Sequence, residues 1–98
     1  MKLALIQFNS EWDSKNNNLQ RAVFFVKKAA SEKCDVVVFP EMFTTGFSMD
    51  IASIAEEKNG DTYQFLSNLA KCNNIHIIAG LACFTSFQKK GQNMAMIF

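Results

Sequence analysis

Three short apolar runs along the chain predict strands that are covered on both faces of a sheet. The runs span residues 2–8, 36–39 and 75–79, and they leave almost no polar face. Apolar residues recur at the spacing of an amphipathic helix from Leu19 onwards, and again over residues 62–73. A strand, a helix and a second strand form a right-handed parallel unit, so the carboxyl ends of the first two strands should meet at one edge of the sheet.

The rest of the chain completes an alternating α/β order. Residues 49–58 have a partly helical pattern, and residues 81–87 are predicted to be extended. A hairpin turn at residues 88–92 leads into a last strand at residues 93–98. The predicted order is β-α-β, loop, α-β and then a β-hairpin, and residues 1–98 all belong to a single domain. Because the chain stops inside an apolar strand, we expect it to be the first part of a larger domain.

Several residues near the ends of the first elements are expected to have structural roles. Gln7 is the polar exception in the first strand, and a buried amide there would need partners and would orient neighbouring loops. Trp12 is expected to cover core surface, and the asparagines at residues 16–18 predict a frayed first helical turn. Phe24 points away from the helical stripe, either beneath a neighbouring loop or towards another subunit.

The composition indicates a globular protein with no nucleic-acid or membrane partner. Hydrophobic residues make up 49% of the 98 residues, which is enough for one packed core. Ten Lys and Arg residues stand against nine Asp and Glu residues, and they are scattered, which argues against a basic binding surface. No apolar run approaches the length of a membrane span, and the amino terminus has the pattern of a strand rather than of a secretory signal.

The cysteines and the single histidine predict no metal site. Cys34, Cys72 and Cys83 are odd in number, and their spacing fits no metal or redox motif. Free cysteines in a chain without a signal predict a cytoplasmic location. His76 has no partner at ligand spacing, so a zinc site is not expected. The chain also has no glycine-rich phosphate loop, and no cofactor is predicted.

The stretch best placed for chemistry begins where the second predicted strand ends. Glu41 follows Phe39 and Pro40 there, and ligand-handling groups in open α/β sheets lie just past the carboxyl ends of strands. The neighbouring residues are apolar, so we expect a poorly hydrated carboxyl group, which suits a general base or acid. The alternative is a structural carboxylate that only accepts hydrogen bonds from the backbone of its own loop.

A thiol and a carboxylate can form a catalytic pair, but none of the three cysteines is predicted to be a nucleophile. Cys34 lies at a helix-to-strand junction, Cys72 is expected to face inward on a helix, and Cys83 lies in an alternating strand. None of them is on a sharp loop or at a helix amino terminus, where the thiolate is favoured. Each is therefore interpreted as a small core residue.

Three stretches of the chain and one further residue resemble a known family. They are Ala-Leu-Ile-Gln at residues 4–7, Val-Val-Val-Phe-Pro-Glu-Met-Phe-Thr-Thr-Gly-Phe-Ser-Met at residues 36–49, Ile-Ile-Ala-Gly at residues 77–80, and Asn93. With these features the chain resembles the nitrilase superfamily of carbon–nitrogen hydrolases over essentially its whole length. Within the second stretch, residues 40–49 are most similar to the ω-amidase branch, which hydrolyses ω-amides of 2-oxo dicarboxylic acids such as 2-oxoglutaramate.

The resemblance implies a fold and a mechanism. The fold is the first half of an α-β-β-α sandwich, incomplete in this chain. In the family mechanism a Glu takes the proton of a Cys, the thiolate attacks the amide carbon, a Lys steadies the oxyanion, ammonia leaves and water cleaves the thioester. Glu41 matches the Glu. Lys89, Lys90 and Cys83 come before the positions of the family's lysine and cysteine and match neither.

The resemblance also makes Phe43, Thr45 and Phe47 candidates for the substrate pocket. It implies a small-molecule amide as substrate and, as is common in the family, a homo-oligomer. Three hypotheses follow: the amino-terminal part of an ω-amidase-like hydrolase, a catalytically inactive truncated homologue with at most an interaction role, and an unrelated small α/β binding domain. We expect the 98 residues alone to be inactive, and either marginally stable or associated through an open sheet edge.

Overall fold

The computed structural model describes residues 1–85 and 90–98, and its elements follow the predicted order. Residues 86–89 lie outside the described residues, and with them part of the predicted hairpin turn, part of the extended segment before it, and Lys89. The elements are β1 (Leu3–Leu5), α1 (Lys15–Ser31), β2 (Val36–Val38), α2 (Ile51–Ile54), α3 (Asp61–Asn73), β3 (His76–Phe84) and β4 (Gly91–Ile97).

The four strands form one sheet in the order β1-β2-β3-β4. The first three strands are parallel, as predicted, and β4 is antiparallel to β3. Val37 of the second strand lies between Ala4 and Ile77. The two predicted segments on either side of Gly80 are one continuous strand, because Gly80 pairs with Ala95 and does not end the ladder.

Helices α1 and α3 pack on the same face of this sheet and enclose the main core. Inward residues recur along both helices at three- and four-residue intervals, which places them on one side. The alternate residues of the strands face them. The core residues from these elements are Leu19, Ala22, Val26, Ala29, Leu66, Ala70, Val37, Ile77, Ala79, Leu81, Cys83 and Met96.

The opposite face of the sheet is partly open. Leu5, Val38, Ile78 and Ile97 form a row across all four strands, and the two outer members are 76% and 74% exposed. The expectation that the first strand spans residues 2–8 and is covered on both faces is therefore wrong. β1 has three residues and lies at the sheet edge, and both long helices pack on the other face.

The segment between β2 and α3 covers the remainder of that face. Met42, Ile54 and Ala55 form a second, smaller core with Ala82 of β3. Beyond the end of β2, the backbone of Glu56 pairs with β3 instead. The Glu56 N–H donates to the Ala82 carbonyl (3.0 Å), and the Glu56 carbonyl accepts from the Phe84 N–H (2.8 Å). The loop that carries Glu41 is therefore held against the sheet at both ends.

Four expectations about single positions are corrected by the packing. Gln7 is exposed, and Trp12 is 64% exposed because it rests on a loop instead of the core. Cys72 is exposed, since it lies two residues past the inward-facing Ala70 and so on the other side of α3. The first turn of α1 is formed, with the Asn18 N–H donating to the Ser14 carbonyl (3.0 Å).

Candidate active site

Glu41 lies just past the carboxyl end of β2, as the sequence predicts. Phe39 is buried and extends the pairing by one bond, from its N–H to the Ile78 carbonyl (2.8 Å). Pro40 follows and has no N–H to continue the ladder, so the chain leaves the sheet there. Glu41 itself is exposed, which corrects the expectation of a poorly hydrated carboxyl group. Its carboxylate has no hydrogen-bond or ion-pair partner within residues 1–85 and 90–98, so it is available to a ligand.

The backbone of Glu41 rests directly on Gly80. A Cβ atom added to Gly80 would lie 2.6 Å from the Cα of Glu41 and 3.2 Å from the backbone nitrogen of Met42. Both contacts are with main-chain atoms, which cannot rotate away as a flexible side chain does. A residue without a side chain at position 80 is therefore what allows the Glu41 loop to approach β3 so closely.

A tight turn follows Glu41. Met42 has a left-handed backbone conformation (φ 49°), as does Gly46 (φ 77°). The Met42 carbonyl accepts hydrogen bonds from the N–H groups of Thr45 (3.3 Å) and Gly46 (2.8 Å). Left-handed conformations are rare for residues other than glycine, so Met42 is held in its conformation by the surrounding contacts.

The loop between β1 and α1, together with the start of α1, holds this turn in place. Three successive carbonyl groups of the turn each accept one hydrogen bond from that region. The bonds run from Ser10 Oγ to Phe43 (2.7 Å), from Asn18 Nδ2 to Thr44 (2.8 Å) and from the Asp13 N–H to Thr45 (3.0 Å).

A cleft of about 210 Å³ lies beside Glu41 between these two loops. Trp12 and Phe47 are 64% and 61% exposed and border it with Phe8 and Asn9. The positions of Phe8 and Asn9 agree with the expectation that the carboxyl ends of the first two strands meet. The remaining lining residues are Ser10, Pro40 and Gly46. A carboxylate flanked by two exposed aromatic rings is suited to a small ligand with a polar group to be acted on.

The other predicted pocket residues do not reach this cleft. Phe43 is fully buried and stacks on Phe39, with ring centroids 4.6 Å apart. Thr45 is also buried and borders a different depression, of about 530 Å³, at the start of α1. We assign the site to the smaller cleft because it contains Glu41. Trp12 was missed as a site residue, and its position two residues before the helix cap gave no signal for it.

A second carboxylate, Glu56, joins the ends of both long helices. It accepts a hydrogen bond from Lys15 Nζ (2.9 Å), one from the Thr62 N–H (3.1 Å) and one from the Thr62 hydroxyl. Burial by itself raises the pKa of Glu56, but the hydrogen bonds from Thr62 and Lys15 outweigh it and hold this pKa below its ordinary value of 4.5. Lys15 also donates to the Ile54 carbonyl (2.7 Å), so the cluster fastens the Glu41–Glu56 segment to α1.

We expect E56Q to lower the free energy of unfolding at pH 7 by about 1–3 kcal/mol, because Lys15 and Thr62 lose a charged acceptor. A carboxyl group whose pKa is depressed by folding stabilises the fold fully above its unfolded value. That contribution disappears as the pH falls below 4.5, through the folded pKa. Urea denaturation at a series of pH values from 7 to below 4.5 should show the free energies of unfolding of the parent and E56Q converging. The exposed neighbour variant E57Q should track the parent, and a pH-independent difference for E56Q would contradict the assignment.

The cysteines and histidine of the described residues do not add a nucleophile to the cleft. Burial, and then the charge of Glu56, raise the pKa of the Cys83 thiol above its ordinary value of 9.0, so it is protonated near neutral pH. Cys34 is buried, and Cys72 is exposed on α3. His76 is exposed at the amino end of β3, and its Nδ1 lies 3.2 Å from the Phe98 carbonyl.

The part of the chain that the structure describes contains neither a metal-binding cluster nor a membrane-spanning helix. No group of three or more His, Cys, Asp or Glu side chains there is arranged to hold a metal ion. Among the helices of residues 1–85 and 90–98, none has the length and apolar character needed to cross a bilayer.

The sequence matches one protein family and several curated proteins. A model of the family described as carbon–nitrogen hydrolase matches residues 2–98. The chain is 32% identical over 79 residues to 2-oxoglutaramate amidase of Bacillus subtilis (strain 168), with 80% of this chain and 30% of that protein aligned. It is 37% identical over 87 residues to an omega-amidase of Saccharomyces cerevisiae, with 82% and 30% aligned. The chain thus spans about 30% of the length of these relatives.

Solved structures show the same fold. A CN-hydrolase superfamily protein of Xanthomonas campestris superposes with a TM-score of 0.79 at 20% identity, covering 98% of this chain and 38% of that one. An N-terminal amidase superposes with a TM-score of 0.82 at 20% identity, and the match covers 99% of this chain and 24% of the amidase chain. At this identity the likeness concerns the fold alone, and in both proteins it is confined to part of a longer chain.

Proposed function

The chain belongs to the carbon–nitrogen hydrolase family, and we propose from this that it is the amino-terminal part of an amidase acting on the ω-amide of a 2-oxo acid, with 2-oxoglutaramate as the representative substrate. The observation that carries the proposal is Glu41, an exposed carboxylate at the carboxyl end of β2 in a cleft between two loops. The substrate class is supported by the 2-oxoglutaramate amidase and omega-amidase relatives.

In the proposed reaction Glu41 is the general base. It removes the proton of a cysteine thiol supplied by the longer protein, and the thiolate sulfur bonds to the amide carbon. A lysine, also from the longer protein, balances the charge of the tetrahedral oxyanion. The carbon–nitrogen bond then breaks, and the proton held by Glu41 leaves with the nitrogen as ammonia. Water cleaves the thioester to give the 2-oxo acid and restores the thiol.

The three pocket candidates take different parts in this proposal. Phe47 borders the cleft and would contact the substrate directly. Phe43 and Thr45 are buried and do not line the cleft, so they would act only by supporting the turn that follows Glu41. Trp12 joins Phe47 as an exposed aromatic residue at the cleft. A cytoplasmic location and assembly into a homo-oligomer remain predictions.

We expect the protein expressed from the complete reading frame to release ammonia from 2-oxoglutaramate, and the 98-residue chain alone to release none, because Glu41 then has no thiol to activate. Ammonia is measured with a coupled glutamate dehydrogenase assay, and the 2-oxo acid product is identified by mass spectrometry. A folded complete protein without this activity would refute the substrate assignment and favour an inactive homologue. Turnover by the 98-residue chain would refute the assigned mechanism.

A further inference from the structure

The loop that carries Glu41 packs Met42 and Phe43 into the two cores, but few hydrogen bonds connect its backbone to the rest of the chain. Residues 41–47 lie outside every helix and strand. On the strand side the chain is fixed by the bond from the Phe39 N–H to Ile78. On the far side it is fixed by hydrogen bonds to its carbonyl groups from the region around the first loop. The orientation of the turn that follows Glu41 therefore depends on the groups that bind these carbonyls.

Asn18 is the most deeply buried of these anchors. Its side chain is completely inaccessible to solvent, and all three of its hydrogen bonds are made to backbone groups. Oδ1 accepts from the Glu11 N–H (2.9 Å), while Nδ2 donates both hydrogens, to the carbonyls of Glu11 (2.7 Å) and Thr44 (2.8 Å). This pattern uses both donors of the amide and assigns its orientation.

The other two anchors are different in kind. Ser10 is only half-buried, and Asp13 contributes its backbone N–H, which any residue except proline supplies. Asn18 alone contributes a specific buried side chain, and it bridges the loop after β1 to the loop after β2. A buried hydrogen bond that water cannot replace is costly to remove, because the Thr44 carbonyl would be left without a partner.

We propose that Asn18 is a positioning residue, which fixes Glu41 by holding the Thr44 carbonyl and with it the left-handed turn that begins at Met42. The inference rests on the proposed function in one respect, that Glu41 is the group whose position matters for the reaction. Its structural part, that Asn18 orders the turn, stands independently of any activity.

The structural part is tested by amide hydrogen exchange in the complete protein, followed at residues 39–46. In N18A the amides of Thr45 and Gly46, which bond to the Met42 carbonyl, should exchange about tenfold faster or more. The Phe39 amide, which bonds to β3, should keep its exchange rate. The matched control is N16A, the same substitution at an exposed asparagine on the same helical turn.

The pattern of exchange separates a positioning role from a general one. If N18A accelerates exchange at Phe39 as much as at Gly46, Asn18 supports the fold as a whole and the proposal is overturned. If neither amide changes relative to N16A, the Thr44 bond does not order the turn and the proposal is also overturned. Fluorescence of Trp12, the single tryptophan of the 98 residues, should also shift in N18A because its ring rests on Gly46.

A second variant covers the case in which N18A does not fold. N18D keeps the acceptor for the Glu11 N–H but loses both donors when ionised, and it regains one donor when protonated. In N18D the protection of the Gly46 amide, corrected for intrinsic exchange rates, should therefore increase as the pH is lowered. In N16A it should not change with pH. If neither Asn18 variant folds while N16A does, Asn18 is a core residue and the proposal fails.

The catalytic part is tested in the complete protein. N18A should lower kcat for ammonia release by about 10- to 100-fold while KM stays within about threefold, because a displaced base impairs the chemical step more than binding. Normal kcat in an N18A protein with accelerated Gly46 exchange would overturn the link to Glu41. Absence of activity in the parent protein would instead be a failure of the proposed function, and the exchange result would remain valid.

Discussion

Replacing Glu41 by glutamine (E41Q) should lower kcat/KM for 2-oxoglutaramate hydrolysis by about 10²- to 10⁴-fold in the complete protein. An amide of the same shape cannot accept the thiol proton, so the general-base contribution is lost while the cleft keeps its form. Because the carboxylate is exposed and bonds to no other described residue, its loss should leave the free energy of unfolding almost unchanged. Activity and urea denaturation measured on the same preparation separate these effects.

The matched control for this substitution is E32Q. Glu32 is an exposed glutamate at the carboxyl end of α1. It lies beside Lys2, near the amino ends of the parallel strands, whereas Glu41 lies past a carboxyl end. It should retain the parent activity. Activity of E41Q within about threefold of the parent would show that Glu41 has only a structural role, which is the alternative that the sequence leaves open.

A methyl group at position 80 (G80A) should lower kcat by about 10- to 100-fold and the free energy of unfolding by about 1–3 kcal/mol. The added Cβ would lie 2.6 Å from the Glu41 Cα, so the backbone of the loop must move away from β3. The φ of Gly80 lies outside the left-handed region, so alanine can adopt the backbone conformation and the cost is steric. The displacement falls on the residue that we propose as the general base.

A suitable control adds one heavy atom at the position that pairs with Gly80. A95S does so on β4, where Ala95 is exposed and lies directly opposite Gly80. Both its activity and its unfolding midpoint should match those of the parent. If G80A retains full kcat while losing stability, the close approach serves packing alone and does not position Glu41.

Much of the fold follows from local patterns. The spacing of apolar residues predicted α1 and α3, and the runs without a polar face predicted β2 and the start of β3. The parallel arrangement of β1 and β2 followed from the connection through a helix. These features depend on residues close together in sequence, which is why the sequence alone was sufficient for them.

The extent and covering of the strands were harder to predict. A run such as residues 2–8 is equally apolar whether one or both of its faces are covered, and only the placement of both helices on one face showed that Leu5 is exposed. The separate segments 75–79 and 81–87 predicted from the sequence place a strand end at Gly80. In the structure it is a contact point for Glu41 within a continuous strand.

The sequence by itself determined where Glu41 stands along the chain: after an apolar strand and a proline, in a motif typical of one family of hydrolases. Tertiary structure alone decided its surroundings. Glu41 faces solvent, Gly80 supports its backbone, and Asn18, from a run interpreted as poor helix sequence, is buried against the turn that follows. The physical reason is that exposure and hydrogen bonding depend on segments far apart in sequence, which meet only when the sheet and helices have packed.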